Sequence, residues 1–590
     1  MKWSALLAVG LFAVYAAGAA RTIYVGDSGE LVTAVALLGI PHPSGYPLYV
    51  LLGKLFTLLV PWGSLAFRMS LFSAACAAAA CGVVHRLCLR LGLHPVAALT
   101  GALLLAFAPS FWGEANVQRV YSLDALFVAA ATATAFAWHR GRRPRSLIAA
   151  FFLCGLGAAN HTFMAVYAVA LALFALSVRP RPAPRTWALA LLALGLGLLP
   201  YLYLPLRSRA DPALDWGNPE SLAAFLRVVS RRDFWSRAYV ESAGDLVAVA
   251  ADYARALVRE SFVAGAALAA AGVAAARRRG WPALLPLLVM AGNLLAMALH
   301  GSRTDLFVWH RYDIPSYAML ALLAALGTQL LVERLPRQAR VLPLLLPALA
   351  LGLGWRQFDR SRYRVADQYS RLLLAALPPG AHLAASDDNV LFVLLYLHHV
   401  EWLRPDVDLI PQGVGEAEIP PLRFDPDEEG LYFSHSPNWR VPGIAVVPVG
   451  LAFQVTRAGA PLPPAFPLPA ALDGEDDPRV PKDYLTRNLI GQFHFMRGLT
   501  AQARGDWPGA ARELERAARS APDNDVLFYN LGLVYEGRGL LAQALAAFRR
   551  SDAINPRGIP GSRAQRAGLR AEALARALAG SGVPGPAPQR

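Results

Sequence analysis

Apolar residues crowd into the first 355 positions of this chain, in runs separated by short polar loops. Crossing a hydrocarbon layer takes roughly 20 residues of helix, fewer or more with tilt. Runs of that order fall at 4–20, 64–86, 96–110, 123–138, 146–160, 162–178, 186–204, 247–275, 281–299, 314–332 and 341–356. The pattern predicts about 11 transmembrane helices. Arginine then orients them: the loops at 86–95, 139–145 (HRGRRPR), 179–185, 276–280 and 333–340 (ERLPRQAR) are the Arg-rich ones, and cationic loops stay inside. The N-terminus is therefore inside, and the loops at 21–63, 109–122, 205–246 and 300–313 lie outside with everything after residue 357. The start, Met1-Lys2-Trp3 and an apolar run to Ala20 with AAGAA at its end, has the outline of a signal peptide. So many spans follow that it reads as the first of them.

After residue 357 the pattern changes. AHLAAS, VDLIPQG, LYFSHS and IAVVPV read as short strands and NVLFVLLYLHHVEWL as a helix, too short in its apolar part for a span. From Asp483 the chain repeats: Gly498, Ala510, Leu514, Ala517 and Pro522 recur 34 positions on as Gly532, Ala544, Phe548, Ser551 and Pro556. That is the period of tetratricopeptide repeats, whose small residues let paired helices approach. The amphipathic stretch at 562–580 reads as a capping helix. The fold class is thus a polytopic α-helical membrane protein followed by an extracytoplasmic α/β domain and α-helical tetratricopeptide repeats. Its parts are a transmembrane domain at 1–356, an α/β domain at 357–470, repeats at 483–580 and a disordered tail at 581–590.

Composition narrows the class. Hydrophobic residues make up 55% of the 590 and charged ones only 16%, too apolar for an ordinary soluble protein. The net charge of +15 follows from the topology-setting loops and is no nucleic-acid footprint. The four cysteines lie in or beside spans, so neither a disulfide framework nor a metal spacing is implied.

The candidate chemistry gathers on the outer face. Asp27 and Glu30 stand three apart just past the first span, beside the proline-bounded turn HPSGYP that carries His42 and Tyr46. A carboxylate at the interface is placed to serve as a base. The second outer loop offers Glu114, Arg119, Tyr121 and Asp124, with Trp112 and Tyr121 reading also as interfacial belt residues. Asn160 and His161 sit in apolar surroundings, as site groups or as helix–helix hydrogen-bond partners. Arg207 and Arg209 emerge where a lipid phosphate lies, unless they snorkel to headgroups, and Arg303, His310 and Arg311 offer a similar case.

These residues resemble a known family, the DUF2723 membrane proteins, which include the TMEM260-type protein O-mannosyltransferases of the GT-C glycosyltransferase fold. The resemblance is carried by DSGELVTAVALLGIPHPSGYPLY (27–49), FWGEANVQRVYSL (111–123), GLGAANHTFM (155–164), YLYLPLRSRADPALDWGNPES (201–221) and SDDNVLFVLLYLHHVEWLRPDV (386–407). It implies an inverting membrane glycosyltransferase in a bacterial inner membrane. Such an enzyme moves a sugar, mannose first among candidates, from a polyprenyl-phosphate donor to a hydroxyl outside, a protein Ser or Thr. It implies Asp27 as base, with Glu30 as the alternative. Where the family has a Glu before the Val-Tyr of the second loop, this chain has Arg119.

In that scheme Asp27 deprotonates the acceptor and Arg207 holds the departing phosphate, a weak base that needs no general acid. No cofactor or metal is called for. The partners are a polyprenyl-phosphate sugar, membrane lipid, and an acceptor polypeptide or partner protein on the repeats, with no nucleic acid. Two other functions compete. A lipid-linked sugar flippase would place polar residues at the midplane of several spans. A membrane-anchored repeat scaffold would leave the outer acids and arginines without a task.

Overall fold

The computed structural model describes residues 2–237, 240–280, 282–300, 309–412, 430–437, 441–464, 466–556 and 563–580. The tail at 581–590 and Arg303 lie outside the described residues. The chain divides into two compact units, Met1–Tyr363 with Asp477–Pro481, and Arg364–Asp476 with Lys482–Arg590.

In the first unit every apolar run carries a helix: α1 (Lys2–Ala17), α4 (Leu65–Arg90), α5 (Pro95–Ala106), α7 (Tyr121–Gly141), α8 (Pro144–Ala158), α9 (Phe163–Ser177), α10 (Pro184–Gly197), α13 (Ala243–Arg279), α14 (Leu284–His300), α16 (Ile314–Arg334) and α17 (Leu345–Phe358). Between them stand shorter helices, α2 (Ser28–Leu37), α3 (Pro47–Leu59), α6 (Pro109–Ala115), α11 (Tyr203–Ser208), α12 (Leu222–Val229) and α15 (Trp309–Tyr312). Among the described residues 6 helical stretches are long and apolar enough to cross a membrane, or 7 when α5 and α6, bent by 67°, count as one. The rest of the apolar helices are 10–17 residues long. The segment 21–63 is no plain loop, because α2 and α3 fill most of it.

Proline starts many of these helices: α3, α5, α6, α8 and α10 begin with it. Its fixed φ suits the first turn and its missing N–H is one that no helix could satisfy there. The bend at Pro109 follows from the same chemistry, since proline disfavours helix in the residue before it.

Small residues set how closely the helices pack. A Cβ added at Gly327 of α16 would lie 1.8 Å from the Leu268 carbonyl oxygen, and one at Gly272 of α13 would lie 1.9 Å from that of Leu323. Gly155 of α8 and Gly197 of α10 meet in the same way, with 2.1 Å to the Leu194 oxygen and 2.5 Å to that of Phe152. Backbones in contact maximise dispersion where lipid offers no hydrophobic drive. Polar ties are added at the helix ends. Glu260 of α13 accepts from the Ser110 N–H at 2.7 Å and from its hydroxyl at 2.6 Å, and Asn293 donates to Asp313 at 2.8 Å.

The second unit holds α18 (Val365–Ala375), a five-stranded sheet and α20–α24. The sheet comprises β1 (His382–Ala385), β2 (Asp408–Pro411), β3 (Leu431–Phe433), β4 (Ile444–Val449) and β5 (Ala452–Arg457) in the order β2-β1-β3-β5-β4. β1 pairs in parallel with β2 and β3, and the crossover from β1 to β2 carries α19 (Asp388–His399). Downstream come α20 (Tyr484–Ala503), α21 (Trp507–Ser520), α22 (Asp525–Gly537), α23 (Leu541–Ile554) and α24 (Arg563–Gly580). Gly498 admits Leu514 and Gly532 admits Phe548, each with side-chain carbon inside 3 Å of where a Cβ would stand.

His494 of α20 is fully buried between two acids. Its Nε2 lies 2.6 Å from Glu475 and its Nδ1 2.6 Å from Glu513. Burial works against its charge, but the two carboxylates outweigh that and raise it above the usual 6.5. Burial likewise pushes Glu513 up, and His494 and then Arg497 bring it down to about 2; Glu475 is lowered as well.

Two outcomes follow. Gly327→Leu forces backbones apart at the α13–α16 crossing and should cost about 1–3 kcal/mol or more, read as a lower thermal midpoint of the purified protein. The His494 cluster adds stability between the ordinary carboxylate range near 4.5 and a histidine value above 6.5. Hydrogen exchange in α20 and α21, corrected for its intrinsic pH dependence, should therefore quicken both below and above that window, and the alkaline rise should vanish in His494→Gln.

Candidate active site

The stretch that follows α1 is held from several sides. Gln118, buried between α6 and α7, accepts from the Tyr24 N–H at 3.2 Å and donates to the Thr22 and Ala66 carbonyls, tying residues 22–24 to α4. Arg119 follows. Its side chain is 1% exposed, its Nη2 donates to the Val25 carbonyl at 2.6 Å, and its Nη1 lies 2.7 Å from Asp27 Oδ2. Asp27 occupies the residue just before α2, its carboxylate turned to the arginines with no bond to the helix's own N–H groups, and remains 28% exposed. Arg311 of α15 stands 3.9 Å from the same oxygen and 3.5 Å from Glu114 Oε1, with its guanidinium over the Tyr121 ring. Burial pushes the Asp27 carboxyl up, yet Arg119, His42 and Arg311 together hold it at about 2. The arginine standing where a family glutamate was expected thus neutralises the acid expected to act as base.

One turn along α2, Glu30 is completely buried and holds the HPSGYP turn with both oxygens. Oε1 accepts from the His42 backbone N–H at 2.7 Å, and Oε2 lies 2.5 Å from His42 Nδ1. His42 Nε2 lies 2.9 Å from the Tyr46 hydroxyl. The turn depends on an unusual backbone. Gly45 has φ +80 and a Cβ there would meet Leu204 at 2.7 Å, while Tyr46 takes φ +41, a left-handed conformation that a bulky residue adopts only under constraint. Burial opposes charge on His42, and Glu30 and then Asp27 outweigh it, raising the imidazole above 6.5 in spite of Arg231.

The C-terminal end of α2 is fixed by cations. Lys54 donates to the Ala36 carbonyl at 2.7 Å and Arg207 to those of Leu38 and Leu37 at 2.8 and 3.3 Å. Arg207, expected on a lipid phosphate, is therefore a clamp on the far end of α2, and Arg209 is exposed outside this cluster. Ile40 bonds Leu214 and Trp216 backbone to backbone, which brings the Trp216 ring within 6.1 Å of His42.

Other expected residues fall to either side of the line between site and scaffold. Tyr121, His161 and Tyr312 form a ring cluster, 5.6 Å from Tyr121 to His161 and 6.4 Å from His161 to Tyr312. Burial first, then Arg231 and His42, keep His161 neutral, down at about 3. Asn160 donates to the Val120 carbonyl at 3.2 Å, as a packing residue does. Trp112 packs against Phe107 and Phe358, and both it and Tyr121 are buried inside the helix bundle, so neither belongs to an interfacial belt.

Arg231 is the residue with no advance signal. It follows α12 at φ +57, is partly buried, and its charge reaches Tyr46, Tyr312, Tyr121 and Tyr201. Among the described residues no carboxylate pairs with it. Stretches near 27–46, 114–121, 161, 231 and 311 thus converge on one place.

Residues 27–183 match the Protein O-mannosyl-transferase TMEM260 N-terminal domain. Protein O-mannosyl-transferase TMEM260 of Mus musculus is 30% identical over 440 residues, covering 70% of this chain and 63% of the mouse protein. The Dictyostelium discoideum protein of the same name is 21% identical over 468 residues, 69% of this chain and 57% of its own. This chain therefore spans about three fifths of the curated relatives it matches. In structure, ArnT from Cupriavidus metallidurans bound to undecaprenyl phosphate superposes with a TM-score of 0.54 at 16% identity, over 79% of this chain and 99% of ArnT. The apo form gives 0.53 at 15% identity, over 77% of this chain and 97% of ArnT. The resemblance to TMEM260-type proteins holds, and the fold is that of ArnT.

The Asp27–Arg119 pair predicts an asymmetry. Asp27→Ala strands a buried guanidinium and should cost on the order of 3 kcal/mol in unfolding free energy. Arg119→Met leaves a part-exposed carboxylate still beside Arg311 and should cost less, as thermal midpoints in detergent will show.

Proposed function

We propose that this chain, with its TMEM260-type N-terminal domain on an ArnT-like fold, is an inverting membrane glycosyltransferase. It moves a sugar, mannose first among candidates, from a polyprenyl phosphate to a Ser or Thr hydroxyl of an extracytoplasmic polypeptide. The observation that carries this reading is the convergence of acids with a guanidinium, Arg231, that no carboxylate pairs among the described residues, in one aromatic-lined site. The matched relatives are named O-mannosyl-transferases, and the ArnT structure holds undecaprenyl phosphate, the lipid class this site would have to accept.

The chemistry needs two things. A base takes the acceptor proton as the oxygen attacks the anomeric carbon, and a cation stabilises the charge that grows on the lipid phosphate as the C–O bond breaks. Among the described residues Arg119 and Arg311 already face carboxylates and Arg231 does not, so Arg231 is the cation proposed to meet the phosphate, with a fork that matches its oxygens. The phosphate leaves without protonation, so the scheme calls for no cofactor and no metal.

Orientation supports an outward-facing site. The ring cluster sits at the start of α7, whereas the other end of that helix runs into Arg140, Arg142, Arg143 and Arg145. Cationic loops stay cytoplasmic, which supports a site on the outer side of the membrane. There the helices α20–α24, in tetratricopeptide-like pairs, hold the acceptor polypeptide or a partner protein.

Purified protein incubated with mannosyl-phosphoryl-polyprenol and Ser/Thr peptides should transfer the sugar. Arg231→Ala should lower kcat/KM for the donor by about 10²-fold, the usual effect of losing one charge-stabilising donor. Arg207→Ala should act through stability, with donor affinity nearly intact. Full transfer by the Arg231 variant would remove it from the phosphate.

A further inference from the structure

The site contains two ways to accept a proton, and its geometry separates them. Asp27 is engaged by Arg119 at 2.7 Å and lies near Arg311, so its basicity is low. Glu30, His42 and Tyr46 instead form an unbroken chain of contacts at 2.5 and 2.9 Å. Glu30 also accepts from the His42 backbone, so the carboxylate fixes both the turn and the ring. With a carboxylate at Nδ1, that nitrogen carries the proton, and Nε2 is left as acceptor for the Tyr46 hydroxyl. The end of the chain is held by Tyr46 at φ +41, a conformation that costs energy and is kept where side-chain placement matters.

We propose that the acceptor hydroxyl is deprotonated through Tyr46 and His42, with Glu30 positioning the imidazole, and that Asp27 holds the arginines in place and is not the base. The proposal rests on the glycosyl-transfer reading and assigns the proton within it. As the acceptor oxygen bonds to the anomeric carbon, its proton passes to the Tyr46 oxygen and the Tyr46 proton passes to His42 Nε2. The bond from the anomeric carbon to the phosphate oxygen breaks, and its electron pair stays on the lipid phosphate beside Arg231. The turn ends with an imidazolium paired to Glu30, which returns its proton to solvent through its partly exposed edge.

The charged and titratable groups facing His42 are Glu30 and Asp27 from the α2 side, Tyr46 at the start of α3, Arg231 after α12, and His161 between α8 and α9. The two acids raise it and Arg231 opposes them. Neutral imidazole therefore accumulates as the pH rises through a value above 6.5, and the rate should rise with it. A base held at about 2 gives instead a rate flat across the neutral range.

The test measures kcat, KM and pH profiles for the full-length protein and for Tyr46→Phe, His42→Gln, Glu30→Gln and Asp27→Asn, with mannosyl-phosphoryl-polyprenol and a Ser/Thr peptide. Tyr46→Phe and His42→Gln should each lose about 10²-fold or more in kcat with little change in donor KM, and His42→Gln should lose the acidic limb from its residual rate. Asp27→Asn should keep that limb and move it to lower pH, because a negative charge beside His42 is gone. Tyr46→Phe preserves the ring, so it decides the matter should His42→Gln prove unstable. Wild-type kcat in Tyr46→Phe, or a flat wild-type profile with loss only in Asp27→Asn, overturns the proposal and returns the proton to Asp27. Absence of transfer by the wild type from every polyprenyl-phosphate donor overturns the glycosyl-transfer reading instead, and this proposal with it.

Discussion

A guanidinium buried to 1% exposure inside a membrane unit is the constraint on which the site depends. An ion taken out of water costs several kcal/mol unless its charge and its hydrogen bonds are answered. Asp27 answers the charge of Arg119 and the Val25 carbonyl takes one of its donors. Both partners belong to residues 25–27, so satisfying one side chain also fixes where the segment after α1 enters the site. The rest of α2 inherits its position from that anchor. Its acids stand at the N-terminal end of the helix and Lys54 and Arg207 close the other, the arrangement that a helix dipole favours.

Much of this was legible in the sequence because it rests on local chemistry. Apolar runs locate helices wherever lipid or a protein core must be met, and all eleven runs carry one. The stretch 27–49 announces itself by acids and a proline-bounded turn just beyond an apolar segment, and the structure brings Asp27, Glu30, His42 and Tyr46 together. The strands at 382–385, 408–411, 431–433 and 444–449 followed from β-branched and apolar runs, while β5 and α18, with a weaker pattern, did not.

What stayed hidden depends on contacts between distant positions. Nothing local distinguishes Arg207, which grips Leu37 and Leu38, from Arg231, which comes to lie among Tyr46, Tyr121, Tyr201 and Tyr312. Both are arginines in the segment between α10 and α13. Only the fold decides which carbonyls or rings each one finds. Trp112 and Tyr121 differ from expectation for a related reason: aromatic residues near a span's end suit the interface, yet here α6 bends from α5 by 67°, and both Trp112 on α6 and Tyr121 at the start of α7 are buried in the bundle. The short helices α2 and α3 have apolar patterns of their own, but their length suited neither a span nor a plain loop.

Among the described residues the charges at the site balance. Asp27, Glu30 and Glu114 stand against Arg119, Arg231 and Arg311, and the imidazole of His42 is neutral in its proton-accepting form. A site whose charges cancel projects little field, so anions in bulk water are not drawn to it from a distance. A lipid-borne phosphate gains nothing from such long-range steering in any case, since its tail confines it to the plane of the leaflet and delivers it by lateral diffusion. Soluble phosphate and nucleotides, which lack that tail, would find no attraction to compensate, and the balance would favour membrane-borne ligands over soluble anions.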